Sequence, residues 1–152
     1  MTARLDPFAA APAQMKEWLG FSQAMNKGLE AELVHLVHIR ASQINACANC
    51  INMHTAEARA GGETEQRIYL LSAWRDAPCY TARERAALGW TEALTRQSEG
   101  HAHEAAIGAL KAQFTAEEQV ILTLVINVIC GWNRLAVGFG LWADRAAAKA
   151  VA

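Results

Sequence analysis

Three side chains that can carry thiol chemistry stand close together in the stretch NACANCINMH, residues 45–54. Cys47 and Cys50 are three residues apart, and His54 follows four residues after Cys50. An α-helix turns about 100° per residue, so these side chains lie within an arc of about 60° and can share one pocket. A helix that begins near Asn45 would place both sulfurs in its first turns, where unpaired N–H groups and the helix dipole stabilise a thiolate.

This arrangement is typical of a redox-active thiol pair. A histidine one helical turn after Cys50 can accept the proton of a thiol and return it. A thiolate in such a place can attack a peroxide and become a sulfenic acid, which the neighbouring thiol captures as a disulfide. The spacing therefore favours a thiol-dependent enzyme that reduces peroxides or disulfides.

Two other interpretations of the same residues stay open. Cys47, Cys50 and His54 are three legitimate zinc ligands and would make a zinc-stabilised, non-catalytic helical module. A structural zinc site needs a fourth ligand, however, and the sequence has no second CxxC, while His101 and His103 are distant. Alternatively, the cysteines are inert, because free cysteines are often simply buried in a core.

The residues that must position this pair form helices. The chain has 152 residues, which is the usual size of one domain, and 53% of them are hydrophobic. Thr81 with Glu84, and Thr115 with Glu118, have the spacing of a capping box at a helix start. No long stretch alternates with the period of a strand. We predict one all-α domain over residues 1–152, with six or seven helices and the CxxC at a helix N-terminus.

Composition excludes several classes of partner. The formal net charge is -1, with no basic patch, so we expect no nucleic-acid binding. The most apolar run, residues 120–132, is shorter than the roughly 20 residues that span a bilayer, so we expect no membrane partner. The N-terminus has no apolar stretch of signal-peptide length. We therefore expect a cytoplasmic protein, in which a CxxC is more often catalytic or metal-binding than structural.

Residues 30–97, and above all SQINACANCINMH followed by ARAGGETEQ, resemble the alkylhydroperoxidase D (AhpD)-like core of the carboxymuconolactone decarboxylase superfamily. This resemblance implies an all-helical fold, obligate oligomers, no cofactor and thiol-based reduction of hydroperoxides in antioxidant defence. In this family the second cysteine is the peroxidatic one and the first closes the disulfide. The resemblance thus gives these roles to Cys50 and Cys47, and it maps the family histidine onto His54.

One position departs from the family pattern. The family carries a glutamate of the proton relay twelve residues before the first cysteine, and His35 stands there in this chain. Histidine, with an ordinary pKa of about 6.5, can also move protons. We therefore expect His35 and His54 to form the relay, with Glu32 one turn earlier orienting His35. For His35 and His38 alike, the alternative is partial burial on an amphipathic helix.

The superfamily also contains lactone decarboxylases, which work without a cysteine pair. A decarboxylase-like activity is therefore a further alternative, against which the CxxC argues. For a peroxidase, the resemblance implies a hydroperoxide substrate and an electron donor that is a dithiol carrier, such as a lipoylated protein.

The chain is also expected to assemble as a homo-oligomer, either a trimer or a hexamer. Five tryptophans, four methionines and the apolar run near the C-terminus are more apolar surface than one small core hides. Of the remaining candidates, Cys130 is expected to be buried packing, and Cys79 follows a proline in a turn, where its thiol can be exposed. Asn133 and Arg134 interrupt the last apolar helix, facing either an interface or the pocket.

Overall fold

The computed structural model describes residues 3–100 and 103–142, and all regular secondary structure in these ranges is helical. Its eight α-helices are α1 (Pro7–Ala10), α2 (Pro12–Asn26), α3 (Ala31–Ile44), α4 (Ala48–Ala60), α5 (Glu65–Leu70), α6 (Ala82–Thr95), α7 (His103–Gln113) and α8 (Ala116–Phe139). Short 3-10 turns follow α5 and α6, over Leu71–Ala73 and Gln97–Glu99. The predicted all-α fold, with the CxxC at a helix start, is confirmed.

The eight described helices exceed the expected six or seven, and one of them is the four-residue helix α1. The Asp6 carboxylate caps α1 by accepting hydrogen bonds from the backbone N–H groups of Phe8 and Ala9. Pro12 then begins α2, because a proline is well suited to the first turn of a helix and poorly suited to its interior. Two prolines five residues apart thus separate a short helix from a long one.

Both predicted capping boxes are present. The Thr81 side chain accepts from the N–H of Glu84 while the Glu84 side chain accepts from the N–H of Thr81, and Thr115 with Glu118 repeats this at the start of α8. The last helix, α8, ends at Gly140, whose left-handed backbone (φ 66°) suits a glycine. Local capping signals therefore fix the ends of α6 and α8 as the sequence predicts.

Helices α3 and α8 form the centre of the fold. Helix α3 packs against α4, α6 and α8, and α8 also packs against α2. Leu122, Val125, Ile126 and Ile129 of α8 are fully enclosed, although Val120 and Val137 of the same helix are exposed. Helix α2 lies so close to α8 that a Cβ at Gly131 would come within 2.6 Å of the Trp18 ring. The absence of a side chain at Gly131 therefore allows α2 to pack closely against α8.

Helix α8 is longer than the apolar run considered in the sequence. It has 24 residues, and by length and composition alone it is apolar enough to cross a membrane, with a mean hydropathy of 1.8 over its most apolar window. No other helix in the described ranges meets that test. A helix at the centre of a fold can be equally apolar, and α8 is such a helix, because it packs against α2, α3 and α6.

Candidate active site

The two cysteines lie at the turn between α3 and α4. Ala46 has a left-handed backbone (φ 52°), which turns the chain sharply after α3. Cys47 is then the N-cap residue of α4, and its Sγ accepts a hydrogen bond from the N–H of Cys50 at 3.3 Å. The two sulfurs are joined as a disulfide, with Cα atoms 5.4 Å apart. The helix N-terminus is thus directed at the sulfur of Cys47.

The two sulfurs differ in their surroundings. Cys50 lines a cavity of about 560 Å³, whereas Cys47 is not among its lining residues. Both cysteines belong to the main hydrophobic cluster and are buried, with 1% of Cys47 and 4% of Cys50 exposed, so the difference between them is which one borders the cavity. A molecule that enters the cavity therefore meets Cys50, while Cys47 does not border the cavity.

The cavity has an apolar wall and a polar region. Helices α1, α2 and α8 and the segment after α8 supply most of the apolar wall, and α3 and α4 supply much of the polar region. The apolar side chains include Phe8, Leu19, Val128, Ile129, Trp132 and Trp142, and the polar ones include His38, His54, Glu57, Asn26 and Asp6. Such a mixture is typical of a site for a small organic molecule.

His54, predicted from the spacing, lines the cavity with Cys50 one helical turn away. Its Nδ1 lies 2.9 Å from Oε2 of Glu57 on the same helix. A carboxylate in this position orients the imidazole and stabilises it when it is protonated. Glu57 was missed in the sequence, although its position three residues after His54 on a helix is the available signal.

His38 also lines the cavity, which the sequence did not predict. Its side chain is buried, with 3% exposed, and its ring centroid lies 4.5 Å from that of His54. Burial holds the pKa of His38 well below the ordinary value of 6.5, and the neighbouring His54 and His35 act in the same direction. His38 is therefore neutral at pH 7. The expectation of partial burial is replaced by full burial, because α4 packs against α3 and places His54 against the ring of His38.

His35 lies one turn before His38 on α3 and is not among the residues that line the cavity. Its side chain is half-buried, beside the end of α4 near Gly61. Burial lowers the pKa of His35, with His54 acting in the same direction and Glu57 opposing it. Glu32 is exposed and raises that pKa only as the smallest influence. His35 thus interacts electrostatically with His54 without bordering the cavity.

A buried amide network supports the turn that carries Cys47. Asn45 donates to Oδ1 of Asn133 at 2.8 Å and lies 3.5 Å from Sγ of Cys130. Asn133 in turn donates to Oγ of Ser42 at 3.0 Å and is 1% exposed. Asn133 therefore fastens the end of α3 to α8, rather than facing the cavity or an interface.

The other candidates have simpler surroundings. Cys130 is a free, buried cysteine, as expected, and Cys79 is a free cysteine that is half-buried. Arg134 is exposed. His103 is on α7, away from the cavity, and His101 lies outside the described residues. Across residues 3–100 and 103–142, no three His, Cys, Asp or Glu side chains are grouped to hold a metal ion, so the geometry gives the zinc interpretation no support.

Known proteins resemble this chain in sequence and in fold. The model of the carboxymuconolactone decarboxylase family matches residues 12–93. The Bacillus subtilis (strain 168) protein YdfG is 36% identical over 150 residues, which cover 98% of this chain and 100% of YdfG. A solved structure from Agrobacterium tumefaciens, described as a candidate antioxidant defence protein AhpD, is 40% identical with a TM-score of 0.89, over 95% of this chain and 100% of that one.

A second solved structure is more distant. The debrominase Bmp8 has a TM-score of 0.81 at 16% identity, over 91% of this chain and 75% of its own. At that identity the likeness concerns the fold alone. The family model, by contrast, covers more than half of the chain, and the matched segment includes the CxxC at the start of α4. This chain therefore belongs to the carboxymuconolactone decarboxylase family, as an AhpD-like member.

Proposed function

We propose that this protein is a thiol-dependent peroxidase that reduces organic hydroperoxides through Cys50 and Cys47. Its structural relatives include both a candidate antioxidant protein and a debrominase, so the shared fold alone does not determine the activity. The observation that carries the proposal is the inequality of the two sulfurs. Cys50 borders a cavity that His54 also lines, whereas Cys47, which is bonded to Cys50, does not border it.

The first half of the reaction takes place at Cys50. His54 accepts the proton of the Cys50 thiol, and Glu57 stabilises the resulting imidazolium. The thiolate attacks the terminal oxygen of the hydroperoxide, so that an S–O bond forms, the O–O bond breaks and an alkoxide leaves. The alkoxide takes the proton back from His54 and departs as an alcohol. The sulfur has lost two electrons to the peroxide and is now a sulfenic acid.

The second half closes the disulfide. The sulfur of Cys47 attacks the sulfenic sulfur of Cys50, so that the S–S bond forms and the S–O bond breaks. The leaving hydroxide combines with the proton of the Cys47 thiol to give water. The Cα atoms stand 5.4 Å apart in the disulfide, a separation common for such bonds, and both cysteines lie in the first turn of α4.

Return to the dithiol requires an external reductant, for which we propose a dithiol carrier. The incoming thiolate attacks Cys50, since that sulfur borders the cavity, and Cys47 leaves. The leaving sulfur is the one that accepts the N–H of Cys50 at the helix N-terminus, which stabilises it as a thiolate. Disulfide turnover of this kind fits the reducing cytoplasm. His35 remains a proposed extension of the relay, coupled to His54 by charge.

The experiment that tests the proposal counts thiols. The reduced protein, with four cysteines, is mixed with cumene hydroperoxide, and free thiols are measured over time. We expect two thiols per chain to be lost and one alcohol to form for each pair, with Cys50→Ser abolishing both. Cys79→Ser is the matched control and should leave the reaction unchanged. No loss of thiols at any peroxide concentration would falsify the proposal.

We further propose that the protein is a homo-oligomer. Apolar side chains on the surface of the described residues include Leu19, Phe21, Tyr69, Val120, Val137 and Trp142, all at least 40% exposed. Exposed apolar surface of this extent is common at subunit interfaces. Light scattering coupled to size exclusion should give a trimer or hexamer of the 16.5 kDa chain, and a peak at the mass of one chain would show the inference to be wrong.

A further inference from the structure

Two residues that line the cavity each carry a buried polar atom that has no hydrogen-bond partner among the described residues. They are Nε2 of His38, on α3, and Oδ1 of Asn26, at the end of α2. Both residues line the same cavity as Cys50. Buried polar atoms are almost always hydrogen-bonded, since leaving one unpaired is unfavourable. The two residues are therefore candidates for polar contacts to a bound ligand.

We propose that His38 and Asn26 form a subsite that binds the hydroxyl or hydroperoxyl end of an uncharged organic ligand. The proposal rests on the function proposed above, which makes that ligand a hydroperoxide and its alcohol product. An amide oxygen only accepts, and a neutral imidazole nitrogen accepts in one tautomer and donates in the other. An O–H group, which both donates and accepts, can satisfy this pair. The remaining body of the ligand lies against Phe8, Leu19, Ile129 and Trp132.

The charges around the cavity select a neutral ligand. Glu57 and Asp6 are carboxylates on its walls, and they repel a carboxylate on a ligand. His38, neutral because of its burial, offers no compensating positive charge, and His54 is already paired with Glu57. A hydroperoxide that carries a carboxylate, such as one derived from a fatty acid, is therefore disfavoured against an alkyl or aralkyl hydroperoxide of the same size.

The subsite can be tested by binding, without turnover. The probe is 2-phenyl-2-propanol, the alcohol left by cumene hydroperoxide, added to the disulfide form of the full chain. Tryptophan fluorescence reports binding, because Trp132 and Trp142 line the cavity. The anionic counterpart of this alcohol is 2-methyl-2-phenylpropanoate, which has a similar shape. We expect the alcohol to bind at least tenfold more tightly than the carboxylate, and its addition to shift the ¹⁵N resonance of His38 Nε2.

Variants separate a ligand contact from a structural role. His38→Leu roughly keeps the volume of the side chain. It should lower the affinity for the alcohol about tenfold, since it removes one hydrogen bond to the ligand. His38→Gln places an amide near the position of Nε2 and should recover most of the affinity, and Asn26→Leu should weaken binding severalfold. The matched control is His103→Leu, which removes another buried, unpartnered imidazole nitrogen outside the cavity and should change nothing. Thermal unfolding of each variant checks the fold.

Three outcomes overturn the subsite: equal affinity in His38→Leu and the parent protein, a carboxylate that binds as tightly as the alcohol, or no binding of the alcohol up to its solubility. The outcome is independent of the thiol assay. If the protein consumes peroxide but His38→Leu binds the alcohol as tightly as the parent, only the subsite proposal is refuted. If the protein binds the alcohol through His38 but loses no thiols to peroxide, only the proposed peroxidase function is refuted.

Discussion

Helix α3 carries two polar regions that lie only two residues apart and differ in how their atoms are bonded. On one side, Arg40 pairs with Glu92 at 2.6 Å, and Glu92 also accepts from Trp74 at 2.8 Å and from Arg75. On the other side, His38 faces the thiol cavity with Nε2 unpartnered among the described residues. A buried polar group whose hydrogen bonds are all made within the protein stabilises the fold. A buried polar group that lacks a hydrogen-bond partner within the protein is available to a ligand.

The size of a cleft does not make this distinction. A cleft of about 840 Å³, larger than the thiol cavity, lies beside Arg40, Arg75 and Glu92. Burial raises the pKa of Glu92, but the hydrogen bonds from Trp74, Arg75 and Arg40 outweigh it and hold that pKa below its ordinary value. Glu92 is thus a charged, paired carboxylate at neutral pH. The bonding of the polar groups, rather than the volume, distinguishes the two regions.

The largest expected effect is at Glu92. Glu92→Ala leaves the half-buried Arg40 and the indole N–H of Trp74 without their acceptor, and we expect a loss of about 3–5 kcal/mol in the free energy of unfolding. Urea unfolding at pH 7 measures it. Glu92→Gln keeps an acceptor for Trp74 and should lose less. A loss below about 1 kcal/mol for Glu92→Ala would show that the hydrogen bonds and ion pairs of Glu92 do not stabilise the fold as expected.

The next effect concerns the amide network under Cys47. Asn133→Leu removes one hydrogen bond from the side chain of Asn45 and one from that of Ser42. We expect a loss of about 1–3 kcal/mol in the free energy of unfolding. The turn that carries Cys47 should also loosen, so that Cys47 reacts faster with a thiol-alkylating reagent in the reduced protein. Arg134→Leu, at the exposed neighbouring position, is the control. An unchanged alkylation rate would show that Asn133 does not hold this turn.

A smaller effect, of opposite sign, is expected at His38. His38→Leu removes a buried unpartnered nitrogen, so at pH 7 the variant should be as stable as the parent or more stable by up to about 1 kcal/mol. The pKa of His38 is depressed in the fold, so below pH 6.5 the unfolded chain binds a proton that the native state does not. Stability is therefore lost as pH falls through this range.

The pH dependence gives a second measurement of the same variant. Between pH 6.5 and 5.5 we expect the parent protein to lose about 1 kcal/mol through His38, and His38→Leu to lose correspondingly less. Glu92 does not interfere, since its contribution is lost only as pH falls below its ordinary value of 4.5. Parallel stability curves for the two proteins would mean that His38 is not held neutral by burial.

The smallest effect is expected at a paired charge on the surface. Arg59 and Glu65 form an ion pair with side chains 42% and 49% exposed. Arg59→Ala should change the free energy of unfolding by less than about 0.5 kcal/mol, since solvent screens such pairs. Urea unfolding in parallel with Glu92→Ala compares an exposed pair with a buried one. Equal losses in the two variants would indicate that burial does not determine the effect.

Local signals predicted much of this molecule. The spacing of Cys47, Cys50 and His54 placed them on one helix start, and the capping boxes placed the starts of α6 and α8. The position of His38 was not predictable in this way. Whether His35 or His38 borders the cavity depends on how α2 and α8 pack over α3, which is a tertiary property that no local pattern contains. Asn133 was ambiguous for the same reason, since its partners Asn45 and Ser42 lie about 90 residues away in sequence.

The central claim is that Cys50, and not Cys47, reacts with the peroxide. The most direct measurement treats reduced Cys47→Ser protein with one equivalent of cumene hydroperoxide in the presence of dimedone, which traps sulfenic acids, and locates the adduct by peptide mass spectrometry. We expect an adduct on the peptide that contains residue 50, and none in the parallel experiment with Cys50→Ser. An adduct on Cys47 in the Cys50→Ser protein, with Cys50 unmodified in the other variant, would contradict it.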